Sequence, residues 1–291
     1  GIIVHNDAQH FSSGVNLNAF LALIRSKDWV GIDKFLHKFQ QAVRSLKFLP
    51  VPVVGAPSGM AIGGGFEVLL HSDKIVAHSN SVLGLVESGV GLIPGGGGVK
   101  ETYLRCFEKL GNQDDAAWKT WMQIGYGQTG TSPEKSSELF YYLSERDQTE
   151  MNRDYLINSA ISSIKEINAL GYKAPELKTV SLPGNFILKK MSEFMDNGIE
   201  KGLFYKHDKT VAMQVASVVV NNKEDKILLL DEDELFKSWG LKIERKTILL
   251  PGRLTEWKGQ EMFLDAISKV NINLGHEVFN VIILGSDQGR D

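Results

Sequence analysis

With only one cysteine, Cys106, among 291 residues, the chain has no partner for an internal disulfide and fits a reducing compartment, which points to the cytoplasm. A lone cysteine is more often packed as a small apolar group than used as a nucleophile. Charge of one sign is also lacking: 32 Lys and Arg against 35 Asp and Glu leave a net charge of −3. That balance gives no electrostatic footprint for nucleic acid or an anionic membrane, so a small molecule or a protein is the expected partner. The seven histidines, His71 and His78 among them, offer no pair at metal-ligand spacing with a third ligand, so no metal is expected and they read as surface or satisfied core. Long apolar runs are missing too. The nearest, Val51 to Leu70, is broken by Pro52, Pro57, five glycines and Glu67, and reads as strand, turn and helix rather than as a membrane span.

What is present suits a globular chain of about two domains, with 43% hydrophobic and 23% charged residues. The sequence opens on "GIIVHND" without Met, as if inside a strand, and is expected to be a fragment or a processed product. Ile2 to Val4 reads as a short buried strand, followed by the turn-rich "NDAQHFSSGVNL". Phe35, Leu36, Phe39, Val43 and Leu46 recur at helical spacing within Ile32 to Leu46. "LPVPVVGAPSG", "DKIVAHS" and "SVLGL" read as short strands around a helix that ends near Leu70, a strand, strand, helix rhythm. From Pro133 to Leu170 the pattern is mostly helical, with Ser132 as N-cap, Pro133 at the first helical position and Gly171 closing the stretch. Helices are also expected over Ile187 to Gly198 and Val211 to Val220.

Within "PSGMAIGGGFEVLLHSDKI" a glutamate, Glu67, stands among Phe66, Val68, Leu69 and Leu70, where an unpartnered carboxylate would be costly to bury. Three stretches occur in the order "FSSGVNL", "GMAIGGGFE" and "LGLVESGVGLIPGGGG", with Glu67 and Glu87 twenty positions apart. Through all three the sequence resembles the enoyl-CoA hydratase (crotonase) family over roughly residues 1 to 105. A weaker likeness, to the hydratase part of bacterial bifunctional 3-hydroxyacyl-CoA dehydrogenase/enoyl-CoA hydratases, runs through "SPEKSSELFYYLSERDQTEMNRDYLI" to about Ser238.

The resemblance implies an α/β fold, a crotonase-type ββα superhelix with a helical C-terminal region and without its opening elements. It also implies an acyl-CoA thioester substrate of fatty acid β-oxidation, with the backbone N–H groups of Val15 and Gly64 as an oxyanion hole and Glu67 and Glu87 as the acid and base pair. Adding water to a 2-enoyl thioester develops charge on the thioester oxygen, which two N–H donors stabilise, while two carboxyls of different proton affinity handle the water and the α-carbon. Where the family commonly has Ala-Asp this chain has Val15-Asn16, and Asn18 replaces a basic residue that helps with the coenzyme A phosphates. "IPGGGGVK", Ile93 to Lys100, lacks the lysine-serine ending of a phosphate loop and is taken, with the resemblance, as loop structure of the family. Coenzyme A enters only as part of the substrate, and a homo-oligomer fits the family. No strand-linked G-x-G-x-x-G is present, so NAD is expected only if an upstream domain exists.

Residues 239–291 change character. "KTILLPGRLTEWKGQEMFLDAISKV" followed by "FNVIILGSD" reads as a truncated, Rossmann-like βαβ unit and resembles the donor half of a retaining GT-B glycosyltransferase, in which the counterparts of Arg253 and Lys258 grip a diphosphate. The expected organisation is therefore 1–130 as crotonase-like core, 131–238 as its helical tail, and 239–291 as a partial glycosyltransferase unit, joined near Ser238 and Trp239. Hydratase chemistry is the leading function, with a non-catalytic remnant or fusion scaffold, and a glycosyltransferase, as the alternatives.

Overall fold

Every residue of "VVGA" is buried, as a stretch with no polar side chain requires of a central strand. The structure, a computed structural model, describes residues 1–222 and 224–232 and the backbone of 246–251 and 279–284. In it Val53–Ala56 (β2) lies between Ile2–His5 (β1) and Lys74–His78 (β4), and Gln148–Glu150 (β7) extends the sheet beyond β4, all in parallel. A second sheet joins Met60–Ile62 (β3) to Val82–Gly84 (β5) in parallel and β5 to Thr129–Gly130 (β6) in antiparallel. The chain thus visits one sheet and then the other, and the short helix Gly64–Leu70 (α3) follows β3. This is the rhythm read from the sequence.

Around the sheets lie Leu17–Arg25 (α1), Trp29–Lys47 (α2), Gly98–Leu110 (α4), Gln113–Gly125 (α5), Pro133–Glu138 (α6) and Leu156–Ala169 (α7). The antiparallel hairpin of Thr179–Leu182 (β8) and Leu228–Asp231 (β9) brackets Asn185–Glu200 (α8) and Lys206–Val219 (α9). On α2 the Asp28 side chain caps Gly31 N–H, and the stripe read from the sequence puts Val43 and Leu46 in the core with Phe35, Leu36 and Phe39 half-buried. Burying side chains of this size is worth roughly 1.5–3 kcal/mol each.

Two stretches depart from the sequence reading. The helix expected after Ser132 does start there, with Ser132 Oγ accepting from Lys135 N–H and Pro133 in the first turn, but it ends at Glu138. Phe140 ends it: its φ of +56° is left-handed and Tyr141 N–H closes back on the Ser136 carbonyl, while the buried Asp147 accepts from Leu143 N–H on Oδ2 and from Ile75 N–H on Oδ1, which ties this segment to β4 before β7 begins. The second is "IPGGGGVK", read as loop through Lys100, which becomes helix α4 from Gly98. Its N-cap, Gly97, has no side chain to offer, and the capping carboxylate comes instead from Glu67, 31 residues upstream of Gly98.

One hydrophobic cluster runs from Val4 through Phe66, Leu69, Val99 and Tyr103 to Val180, Met191, Val215 and Val219. Cys106 is packed in it, and burial pushes its thiol up to about 11. His78 is engaged by Asn80 and the Met151 carbonyl. Among the described residues no helix is long and apolar enough to cross a membrane. Lys246–Pro251 (β10) and Phe279–Leu284 (β11) pair in parallel. Arg253, Lys258 and the junction near Ser238 and Trp239 lie outside the described residues.

Candidate active site

The site starts from a backbone corner at Gly63, whose φ of +55° and ψ of −134° lie where an L side chain is rarely tolerated. Gly63 N–H is held by the Gly84 carbonyl at 2.9 Å, and its own carbonyl accepts from Phe66 and Glu67 N–H, which fixes the start of α3 against β5. The strand-like segment before Val15 runs beside β3, with Ser12 N–H on the Met60 carbonyl and Ile62 N–H on the Ser12 carbonyl. Gly14 then folds over the corner: a Cβ there would sit 3.7 Å from Gly64 N and 3.9 Å from Gly63 Cα. This brings the Val15 peptide next to the Gly64 peptide. Neither N–H has an acceptor among the described residues, and Gly64 adds the positive end of α3.

Both glutamates come to the same corner. Glu67, 2% exposed, rises from the first turn of α3, and its Oε1 accepts from Gly96 N–H at 2.7 Å and Gly98 N–H at 2.8 Å. Cβ atoms at Gly96 and Gly98 would lie 2.8 and 2.9 Å from the Glu67 carboxyl oxygens, so the approach of these two peptides needs glycine. Glu87 opens the short 3-10 helix Glu87–Val90, and its Oε1 lies 3.4 Å from the Cβ position of Gly63, while Glu67 Oε2 lies 3.9 Å from that of Gly64. The Glu87 Oε2 atom is buried without a hydrogen-bond partner among the described residues.

Burial, then the neighbouring Glu87 charge, raises Glu67 to about 8 against the pull of the two backbone donors. Burial raises Glu87 to about 7. Near neutrality the pair therefore holds about one proton between them, and it belongs to the pair rather than to either residue. Two carboxyls, one proton and two free N–H donors around one glycine corner are the parts of a proton-transfer site that stabilises a developing oxyanion.

Beside Glu87, a cavity of about 290 Å³ opens at Ser88 between α5, α8 and α9, lined by Met122, Tyr126, Phe194, Phe204 and Val211. Ser88 Oγ donates to the Ile124 carbonyl at 2.7 Å, tying the Glu87 segment to α5.

Sequence reading picked Val15, Gly64, Glu67 and Glu87, and the structure brings all four together. It missed the clamp of Gly96 and Gly98, although a glycine run at that place was visible. It also missed a second buried group behind α3 and α4. Lys100 pairs with Glu101 and, at 2.8 Å, with Glu232; Lys47 pairs with Glu232 and, at 3.0 Å, with Glu101. Burial works against the Glu101 charge, and the charges of Lys100 and Lys47 outweigh it, holding that carboxyl well below the usual range. His71 is buried and held neutral, its pKa lowered to about 4 chiefly by burial.

Residues 1–113 match the model of the enoyl-CoA hydratase/isomerase family. A Bacillus subtilis protein described as a probable 3-hydroxyacyl-CoA dehydrogenase is 32% identical over 249 residues, 86% of this chain and 31% of that relative. A putative fatty acid oxidation complex trifunctional enzyme of Rickettsia felis is 32% identical over 164 residues, 55% of this chain and 21% of the relative. The chain thus spans less than a third of the length of these curated relatives. Among solved structures, an enoyl-CoA hydratase/isomerase from Mycobacterium paratuberculosis aligns at a TM-score of 0.48 and 18% identity over 74% of each chain. An enoyl-CoA hydratase from Bacillus anthracis aligns at 0.47 and 20% identity over 74% of this chain and 71% of that one. The glycosyltransferase resemblance of residues 239–291 gains no support from these comparisons. The matched stretch is the one that holds Gly14, the Gly63–Gly65 corner, Glu67 and Glu87, and residues 1–113 are in this sense a domain of the enoyl-CoA hydratase/isomerase, or crotonase, family.

Proposed function

We propose that the chain hydrates 2-enoyl-CoA thioesters, the chemistry of fatty acid β-oxidation. The thioester oxygen accepts from the Val15 and Gly64 N–H groups, so charge that develops there as water adds meets two fixed donors and the end of α3. Glu67 and Glu87 share the proton work: one carboxylate takes a proton from water as its oxygen bonds to the β-carbon, and the other carboxyl delivers a proton to the α-carbon. The pair thereby ends with the single proton it began with. The orphaned Glu87 Oε2 is the oxygen that the water would satisfy. The acyl chain beyond the β-carbon runs into the apolar cavity at Ser88.

The single observation that carries this reading is the placement of two carboxyls, both raised above the usual range, beside two N–H groups without acceptors. The direct test is hydration of a short 2-enoyl-CoA, followed by loss of its conjugated absorbance. Wild type is expected to turn over and Glu87→Gln to lose two orders of magnitude or more, the scale of losing a general acid or base. Equal rates in the two proteins would favour the non-catalytic alternative.

A further inference from the structure

Lys47, Lys100, Glu101 and Glu232 come from three separate parts of the chain. Lys47 ends α2, Lys100 and Glu101 sit in the first turn of α4, and Glu232 follows β9, far beyond the residues that match the family. Lys100, Glu101 and Glu232 are buried at 1%, 4% and 2% exposure. A buried group of two lysines and two carboxylates is neutral only while both carboxylates are present. Removing one leaves an uncompensated cation in a largely buried site, where the Lys47 side chain keeps 15% of its surface exposed.

The same first turn of α4 reaches the site from its other end. Gly98 begins α4, and its N–H, with that of Gly96, holds Glu67 Oε1. His71 lies between α3 and the cluster: its Nδ1 is 2.7 Å from the Glu67 carbonyl, and its Nε2, 3.5 Å from Glu101 Oε1, has no hydrogen-bond partner among the described residues. A shift of Lys100 or Glu101 would therefore move the Gly98 peptide, which holds the Glu67 carboxyl and lies two and three residues away on the same helix turn.

We propose that Glu232 is a positioning residue for Glu67: by completing the Lys47–Glu101–Lys100 cluster it fixes the first turn of α4, whose Gly98 N–H holds the Glu67 carboxyl together with that of Gly96 just before it. Among the described residues, the charged groups that bear on this include Glu87, Arg44 and, further along α4, the buried Arg105. Glu87 faces Glu67 from the 3-10 helix, α2 offers Phe39 toward Gly64 and Gly96, and Arg44, one turn before Lys47, adds to the positive side facing Glu232. The Gly96 and Gly98 donors lower the proton affinity of Glu67, so loosening them raises it.

The test follows the Glu67 carboxyl by carbon-13 NMR in the full chain labelled at glutamate Cδ, its resonance assigned by its loss in Glu67→Gln. In Glu232→Gln the loosened clamp is expected to raise the Glu67 midpoint by about one unit, tenfold in proton affinity, and Glu232→Asp, which keeps the charge count, separates this rise from the lowering that an uncompensated lysine exerts. In the exposed variant Lys109→Met, which breaks the Lys109–Glu145 pair at the far end of α4, it is expected to stay at the wild-type value. Where Glu232→Gln does not fold, Glu232→Asp, which keeps the charge one methylene short, is read in its place and is expected to give a smaller rise of the same sign. A Glu67 midpoint that is unmoved in the folded Glu232 variant, or moved equally in Lys109→Met, overturns the proposal and leaves Glu232 as a structural ion-pair partner. The kinetic consequence rests on the hydratase reading: kcat falls about tenfold with KM unchanged, since substrate contacts are untouched. The titration needs no substrate, so a chain without hydratase activity and a Glu67 that ignores Glu232 are separate results.

Discussion

Glu67 is costly in one state and useful in another. Its folded pKa of about 8 lies above the ordinary 4.5, so the folded chain binds a proton there more tightly than the unfolded chain does. A raised carboxyl contributes stability below its unfolded value, and that contribution is lost as pH rises from about 4.5 through about 8. At roughly 1.4 kcal/mol per unit the loss is on the order of a few kcal/mol. Glu67→Gln keeps an acceptor for the Gly96 and Gly98 N–H groups without the charge, so it is expected to flatten this slope. Urea midpoints measured at pH 5 and pH 8 check this, the wild type falling and the variant falling less, by the part that the raised Glu87 carboxyl still contributes. Glu67 stood out in the sequence because a carboxylate among four apolar neighbours has to be explained. Gly96 and Gly98 did not, since a glycine run carries no side-chain signal and its bond to Glu67 closes over about thirty residues.

Helix α4 shows at the scale of an element why boundaries were harder to read than sites. Its N-terminus lacks a local cap because a distant carboxylate supplies one, so propensity and spacing had nothing to register. The same clamp makes Gly98 a sensitive position: a Cβ there would meet Glu67 Oε1 at 2.9 Å and Cγ at 3.0 Å. Gly98→Ala is expected to cost about 1–3 kcal/mol in overpacking and at least tenfold in hydration rate. Its thermal melt and a rate with a short enoyl-CoA read the two effects. Helix α5 supplies a milder case, since Met122 lines the cavity but touches neither carboxyl in the arrangement described. Met122→Trp is expected to slow turnover of medium-chain substrates several-fold while sparing a four-carbon one, measured as the ratio of the two kcat/KM values. An unchanged ratio would place the acyl chain elsewhere.

Across the whole molecule, residues after 131 share the core of the residues before it. Met191 on α8 and Val215 on α9 are fully buried in the cluster that holds Phe66 and Val99, and Trp121 Nε1 donates to the Ala212 carbonyl at 2.8 Å. Composition and periodicity gave β1, β2, β4 and β5 and most of the described helices, but not β8 or β9 as strands. They could not place β8 against β9, whose pairing spans the whole of α8 and α9. Met191→Ala is expected to cost about 2–5 kcal/mol and to lower the unfolding midpoint seen by tryptophan fluorescence and by hydration activity together. Two separate transitions would mean that the later helices fold apart from the site. The central claim is that this molecule brings two carboxyls to one corner to act as a unit, and the most direct test is the hydration kcat of Glu67→Gln, Glu87→Gln and the double variant. The account predicts that each single change loses about as much as both together, because either one breaks the same proton relay. Losses that multiply in the double variant, or single variants that keep the wild-type rate, would contradict it.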